Sequence, residues 1–287
     1  VLLVADADGG AHLQQIERRH LAGASPPIAV RQSLWLLHAD DRRMPQRTAR
    51  WLHARPHLPL DGLSNFHCRR GHEPYWRRLV RIVSGQACGL VLAGGGARGF
   101  AHLGVMQALE ETGIEWDMAG GTSIGAVMGA YAATTRTSHE LIQWAARAFA
   151  RDPTGDLNWL PMMSLLRGRR LRRMIEDAVT ESMCTGTHVE GLWKPFFCIA
   201  SNCSRAEAAV LREGPLADSL IASVSIPAAL PPVLRRCDLL LDGGTFNNLP
   251  VDVMRDSDAY RIIGVDLSRE TYQPLHRASA PSCSTLP

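Results

Sequence analysis

Two glycine-rich turns constrain this chain more than any other feature. Gly94-Gly95-Gly96-Ala97-Arg98-Gly99 follows the strand-like Gly89-Leu90-Val91-Leu92-Ala93, and Gly121-Thr122-Ser123-Ile124-Gly125 opens a second helix-like stretch. Each reads as a strand-to-helix junction, and α/β sheets gather ligands beyond the carboxyl ends of their strands. The first turn can converge several backbone amides on an anion. The second sets a serine between glycines, as in a nucleophile elbow. Gly94, Gly96 and Gly99 also satisfy G-x-G-x-x-G, the fingerprint of a dinucleotide loop. That reading needs a carboxylate at the end of the next strand. Asp117 stands at the start of that strand and Gly120-Gly121 occupies its end, so ester attack is favoured over nucleotide binding.

Around these turns the sequence alternates. Strands are predicted at Val1–Ala5, Ser33–His38, Leu90–Ala93, Trp116–Ala119, Phe196–Ala200, Val210-Leu211, Leu239–Leu241 and Ile262–Asp266. Helices are predicted at Gln14–Leu21, Thr48–Arg55, Tyr75–Ser84, Ala101–Thr112, Ile124–Ala133, His139–Ala150 (Ser138 as cap), Leu171–Ser182 and Leu216–Val224. The stretch 56–74 reads as a loop rich in Pro, His, Gly and Asn. Short apolar strands separated by helices predict an α/β protein, a three-layer α/β/α fold with a mostly parallel central sheet. A small α/β segment with a connecting helix, residues 1–84, precedes the main domain, 85–287. There is no internal repeat.

Serine attack on an ester needs an exposed Oγ, donors for the oxyanion and a base. Ser123 supplies the first. Amides of Gly95, Gly96 and Ala97 are candidates for the second. Among the 11 histidines, none after the elbow is well placed: His139 begins a helix, His188 lies in a loop, and His276 is in the terminal tail. Asp242 is better placed, because Leu239–Leu241 aims it at the same sheet edge and Gly243-Gly244 gives it a tight turn. A carboxylate accepts the serine proton if desolvation raises its pKa, so a Ser123–Asp242 dyad is predicted. Arg98 either attracts a lipid phosphate or ties down its own loop, and His102 is expected to be packed or solvent-facing. Asn247 and Asn248 are expected to hold the loop after Asp242.

In this order, Gly89–Gly99, Gly120–Gly125, Ala222–Pro227 with Pro231-Pro232-Val233, and Asp242–Gly244 with Asn247–Pro250 make the chain resemble the patatin-like phospholipases. In particular it looks like the bacterial relatives of neuropathy target esterase, over roughly residues 85–268. The resemblance implies Ser123 as nucleophile, Asp242 as catalytic partner, the Gly94–Gly96 amides as oxyanion hole, and Gly121, Gly125, Gly243 and Gly244 as supports. It implies hydrolysis of acyl esters of phospholipids or lysophospholipids, with no metal and no cofactor. Residues 1–84 then resemble the segment between an upstream regulatory domain and the catalytic domain. With Val1 at one end and a Ser/Pro-rich tail at the other, the chain reads as a piece of something longer. A catalytically inactive lipid- or partner-binding module is the alternative expectation.

Bulk properties fit this frame. There is no run of 18 apolar residues and no signal-peptide pattern. Seven cysteines, an odd number with no C-x-x-C, favour reduced thiols and a cytoplasmic setting. A peripheral position on the cytoplasmic face of the inner membrane is compatible with that. Residues 1–83 carry 13 Arg and no Lys against 7 Asp and Glu, within a net charge of +3. A solvated basic surface is expected there, with no nucleic-acid partner. The apolar run Leu157–Leu166, followed by Arg167, Arg169, Arg170, Arg172 and Arg173, reads either as a lipid-contacting flap with a basic edge or as a core-packing loop beside a solvated helix.

Overall fold

The computed structural model describes residues 2–18, 33–55, 65–149, 156–158, 164–257 and 259–268. The end of the first predicted helix, Trp159, Leu160, Met162, Met163 and the terminal tail lie outside the described residues. In chain order the elements are β1 (Leu2–Asp6), α1 (Gln15–Glu17), β2 (Ser33–His38), α2 (Thr48–His53), β3 (Asn65–Arg69), α3 (Glu73–Val83) and β4 (Cys88–Leu92). They continue with α4 (Ala101–Glu111), β5 (Met118–Thr122), α5 (Ile124–Ala132), α6 (Ser138–Phe149), α7 (Arg169–Ser182), β6 (Phe196–Asn202) and β7 (Glu207–Leu211). The last are α8 (Leu216–Val224), β8 (Val233–Arg235), β9 (Asp238–Asp242), α9 (Val251–Asp256) and β10 (Arg261–Val265).

The central sheet has strand order β10-β4-β5-β6-β9-β8, with β7 also paired to β6. β10, β4, β5 and β6 are parallel, whereas β7, β8 and β9 run antiparallel to their partners. Helices flank this sheet, as expected for a three-layer α/β/α fold. The antiparallel part has a consequence for the site. β7 takes one edge of β6, so β5 and β9 must share the other. Thr122 pairs with Ile199 at the end of β5, and Asp242 pairs with Ala200 at the end of β9. The two strand ends therefore meet head to head.

The core follows from the sequence pattern. Leu90, Val91 and Leu92 of β4 and all of β6 are buried. Helix α5 is buried from Gly125 to Ala132, which is why it is apolar all round rather than striped. β1, β2 and β3 form a separate parallel sheet. Alternation along β2 splits its side chains between two cores. Leu34 and Leu36 pack with Ala7, Ala11 and Trp51 in a small cluster. Trp35, Phe66 and Cys68 join the main core, with Trp35 stacked on Phe66 at 4.4 Å.

Three expectations are corrected. β3 lies in the stretch read as a loop. Its apolar signal is only Phe66 and Cys68, and the buried His67 between them meets its polar needs through His38, at 3.0 Å, and the Glu190 carbonyl, at 2.9 Å. The strand read at Trp116–Ala119 begins at Met118 and runs to Thr122, so Gly120 and Gly121 are inside it; a Cβ on Gly120 would strike the Phe197 ring. Finally, Thr137 caps α6 in place of Ser138. The Thr137 Oγ1 accepts from the Glu140 amide at 3.3 Å, and Glu140 accepts from the Thr137 amide at 2.9 Å. This is a T-x-x-E capping box.

Candidate active site

β5 delivers Ser123 at its carboxyl end with φ 54 and ψ −126, a backbone conformation uncommon for a side-chain-bearing residue. The turn can be this sharp because Gly121 and Gly125 lack side chains: a Cβ on Gly125 would collide with the Leu92 carbonyl. The strained residue is held from below. Its amide donates to Ser223 Oγ at 2.9 Å, and Ser223 donates to the Ile199 carbonyl at 2.6 Å.

Ser123 Oγ donates to Asp242 Oδ2 at 2.6 Å. The other carboxylate oxygen, Oδ1, accepts from the Gly244 amide at 2.8 Å. Main-chain bonds fix Asp242 as well. Its amide donates to the Ser225 carbonyl, and its carbonyl accepts from Ser201 Oγ, both at 2.8 Å. Ser123 and Asp242 are each 8% exposed. Burial raises the Asp242 pKa, against the opposing hydrogen bonds from Ser123 and Gly244. A basic carboxylate in contact with a hydroxyl is what proton removal from serine requires.

The first glycine turn faces this pair. Gly94 is so close that a Cβ there would stand 3.2 Å from Ser123 Cβ. The Gly94 amide donates to the Asn248 carbonyl at 3.2 Å, so this candidate oxyanion donor is engaged. No such bond is made by the amides of Gly95, Gly96 or Ala97 among the described residues. Gly96 sits at φ +56 with open space where a Cβ would be, so its turn depends on backbone freedom rather than room. Arg98 ties down its own loop, donating from Nε to the Gly95 carbonyl at 3.3 Å. His102 is fully buried and braces the Ala93 carbonyl at 2.8 Å, a packed role. Asn247 donates to Asp252 at 2.8 Å, and its carbonyl accepts from Thr122 Oγ1 at 2.8 Å. Asn248 donates to the Gly94 carbonyl at 3.3 Å.

Asp117 lies at the opposite end of β5. It is fully buried, paired with Arg81 at 2.7 Å and accepting from the Cys88 amide at 2.9 Å. It has no access to the Gly94–Gly99 turn. Ser223 and Ser225 were visible in the sequence only as parts of a motif; their supporting bonds required the packing of α8 against β6. Among the described residues, no group of three His, Cys, Asp or Glu could hold a metal ion.

A family model described as patatin-like phospholipase matches residues 90–255. The chain belongs to the patatin-like phospholipase family. It is 32% identical to human patatin-like phospholipase domain-containing protein 6 over 94% of this chain and 21% of that protein. It is 39% identical to an uncharacterized NTE family protein of Mycobacterium tuberculosis over 68% of this chain and 33% of that one. A Caenorhabditis elegans patatin-like phospholipase domain-containing protein is 41% identical over 66% of this chain and 14% of its own length. The chain thus spans about a fifth of the length of the human relative. Within the patatin-like family, the matched segment holds every residue of the dyad and of both glycine turns.

Proposed function

We propose that the chain hydrolyses carboxylic acyl esters of lysophospholipids or phospholipids, with Ser123 as nucleophile and Asp242 as base. The 2.6 Å contact between Ser123 Oγ and Asp242 Oδ2 carries this reading, and family membership supports lipid acyl hydrolysis as the reaction class. Ser123 Oγ attacks the acyl carbon as its proton passes to Asp242. The amides of Gly95, Gly96 and Ala97 stabilise the oxyanion; one such donor is worth about 3 kcal/mol of barrier. The released alcohol takes the proton back from Asp242. Water then gives its proton to Asp242 and attacks the acyl-serine, freeing the fatty acid and restoring Ser123.

Surface chemistry supports a lipid substrate. Phe100, Ile226 and Phe246 are exposed, and they follow the oxyanion turn, the Ser225 support and the Asp242 turn respectively. Leu157 and Leu165 are exposed too, and the Leu165 amide bonds to the Ala228 carbonyl at 2.8 Å, beside that support. A cavity of about 430 Å³ includes Ser225 in its lining, together with Arg167, Arg169, Arg172, Asp218 and Arg235 over Leu171 and Leu230. The exposure of Leu157 and Leu165 supports lipid contact at these two residues, with peripheral membrane contact as its setting. No described helix is long and apolar enough to cross a membrane. Residues 85–287 form the esterase domain in this reading, and residues 1–84 an accessory segment.

The test is fatty-acid release from lysophospholipid, phospholipid and triglyceride by wild type and S123A. Release from the first two that vanishes in S123A is expected. Lipid binding with no release would leave an inactive binding module.

A further inference from the structure

A second cavity, of about 480 Å³, lies at the amino ends of the strands, between α3 and the approaches to β5 and β6. Crossing the five residues of β5 separates it from Ser123 by roughly 17 Å at about 3.3 Å per residue. Five cationic side chains line it against two carboxylates, Glu110 and Glu115. Arg81 is paired with Asp117 and Glu115, and Arg136 with Glu140. Arg78 and Lys194, by contrast, form no ion pair with any carboxylate among the described residues.

Two groups lining this cavity are buried with unmet polar atoms. Arg78 is 5% exposed; one guanidinium nitrogen donates to the His67 carbonyl at 2.5 Å, while its Nε has no partner among the described residues. Tyr75 is 6% exposed and its hydroxyl is likewise unpartnered. Buried donors of this kind are costly to leave unmade. The half-buried Lys194, the only lysine of the chain, holds its ammonium 4.2 Å from the centre of the Trp116 ring. That contact leaves its three hydrogen-bond donors available.

We propose that this cavity is a binding site for a phosphate-bearing anion, held by Lys194 and Arg78. Acceptor oxygens on a tetrahedral anion suit donors from more than one cationic side chain. The site goes beyond the ester hydrolysis proposed above and shares no residue with it. Burial pushes the Lys194 ammonium down to about 7, with Arg78 acting in the same direction and Asp117, Glu115 and Glu110 opposing. Arg69, Arg81, Arg136 and His72 are the other charged or titratable groups of the lining.

The same chemistry can reach the cavity as a free phosphate compound or as a lipid headgroup. Calorimetric titration with inorganic phosphate, pyrophosphate and glycerol phosphate tests the first source, and co-sedimentation with vesicles containing phosphatidate in a phosphatidylcholine background tests the second. Wild type and S123A are expected to bind equally, because the dyad takes no part. K194Q is expected to weaken binding at least tenfold, and R78K, which keeps the charge but loses the guanidinium fork, to weaken it too. Binding of soluble anions identifies a free ligand, and binding of phosphatidate vesicles alone identifies a headgroup. Circular dichroism checks that both variants fold, and phosphorus NMR of pyrophosphate with the wild type gives a readout independent of them. No binding of any probe to the wild type, or undiminished binding by folded K194Q, overturns the proposal. Neither result bears on fatty-acid release, so this site and the esterase reading fail separately.

Discussion

Ser123 is held in a strained conformation by one hydroxyl, that of Ser223, which bridges its amide to the Ile199 carbonyl. S223A removes both bonds and takes from the buried Ser123 amide its hydroxyl acceptor. A stability loss of about 1–3 kcal/mol is expected, visible in chemical denaturation, together with a lower kcat. Asp242 makes a prediction of opposite sign for stability. Its folded pKa is raised by burial, so the native state holds the proton more tightly than the unfolded chain does. That contribution is full below the ordinary carboxyl value of 3.8 and is lost as pH rises through the raised value. D242N is therefore expected to abolish turnover at neutral pH while keeping a thermal midpoint at or above wild type. Catalysis runs the other way with pH. Attack needs the ionised carboxylate, so kcat/KM in the wild type should fall on acidification, with its midpoint above 3.8. The serine and the carboxylate were legible as candidates from their strand-to-turn settings. Ser223 was not, because a serine inside an apolar helix shows its role only when its acceptor is known.

The turns and caps act at the scale of single elements. G96A places a Cβ at φ +56, where no neighbour crowds it but the backbone is strained. A destabilisation of about 1 kcal/mol is expected, with a larger proportional loss of kcat as the Gly95–Ala97 amides tilt. Equal kcat in G96A and wild type would remove the turn from the oxyanion role. T137A should cost about 1 kcal/mol by opening the capping box of α6. Element types were readable wherever periodicity was strong: β2 and α8 fall where their patterns place them. β3 was hidden because Phe66 and Cys68 are its only apolar residues and His67 between them is satisfied by tertiary partners. β8 and α9 are too short to show a period. The antiparallel pairing of β9 with β6 was equally unreadable, and it is this pairing that brings Asp242 to Ser123.

Across the whole molecule, the amino-terminal sheet is bound into the main core. Trp35, Phe66 and Tyr75 belong to the same buried cluster as β4 and β6, Arg81 neutralises the fully buried Asp117, and Trp193 Nε1 donates to the Arg43 carbonyl at 2.9 Å. R81A would leave a buried carboxylate uncompensated and is expected to cost about 3–5 kcal/mol, readable as a lowered denaturation midpoint. The connecting helix before residue 85 was readable in the sequence, and the sheet changes there from β3 to β4, whereas the shared core is a property of the fold that no local pattern carries. The central claim, that one serine of this chain is chemically activated, is tested by treating the intact protein with a fluorophosphonate and mapping the adduct by mass spectrometry. A single adduct on Ser123, absent in S123A and strongly slowed in D242N, is the expected result. Labelling that persists undiminished in S123A would contradict it.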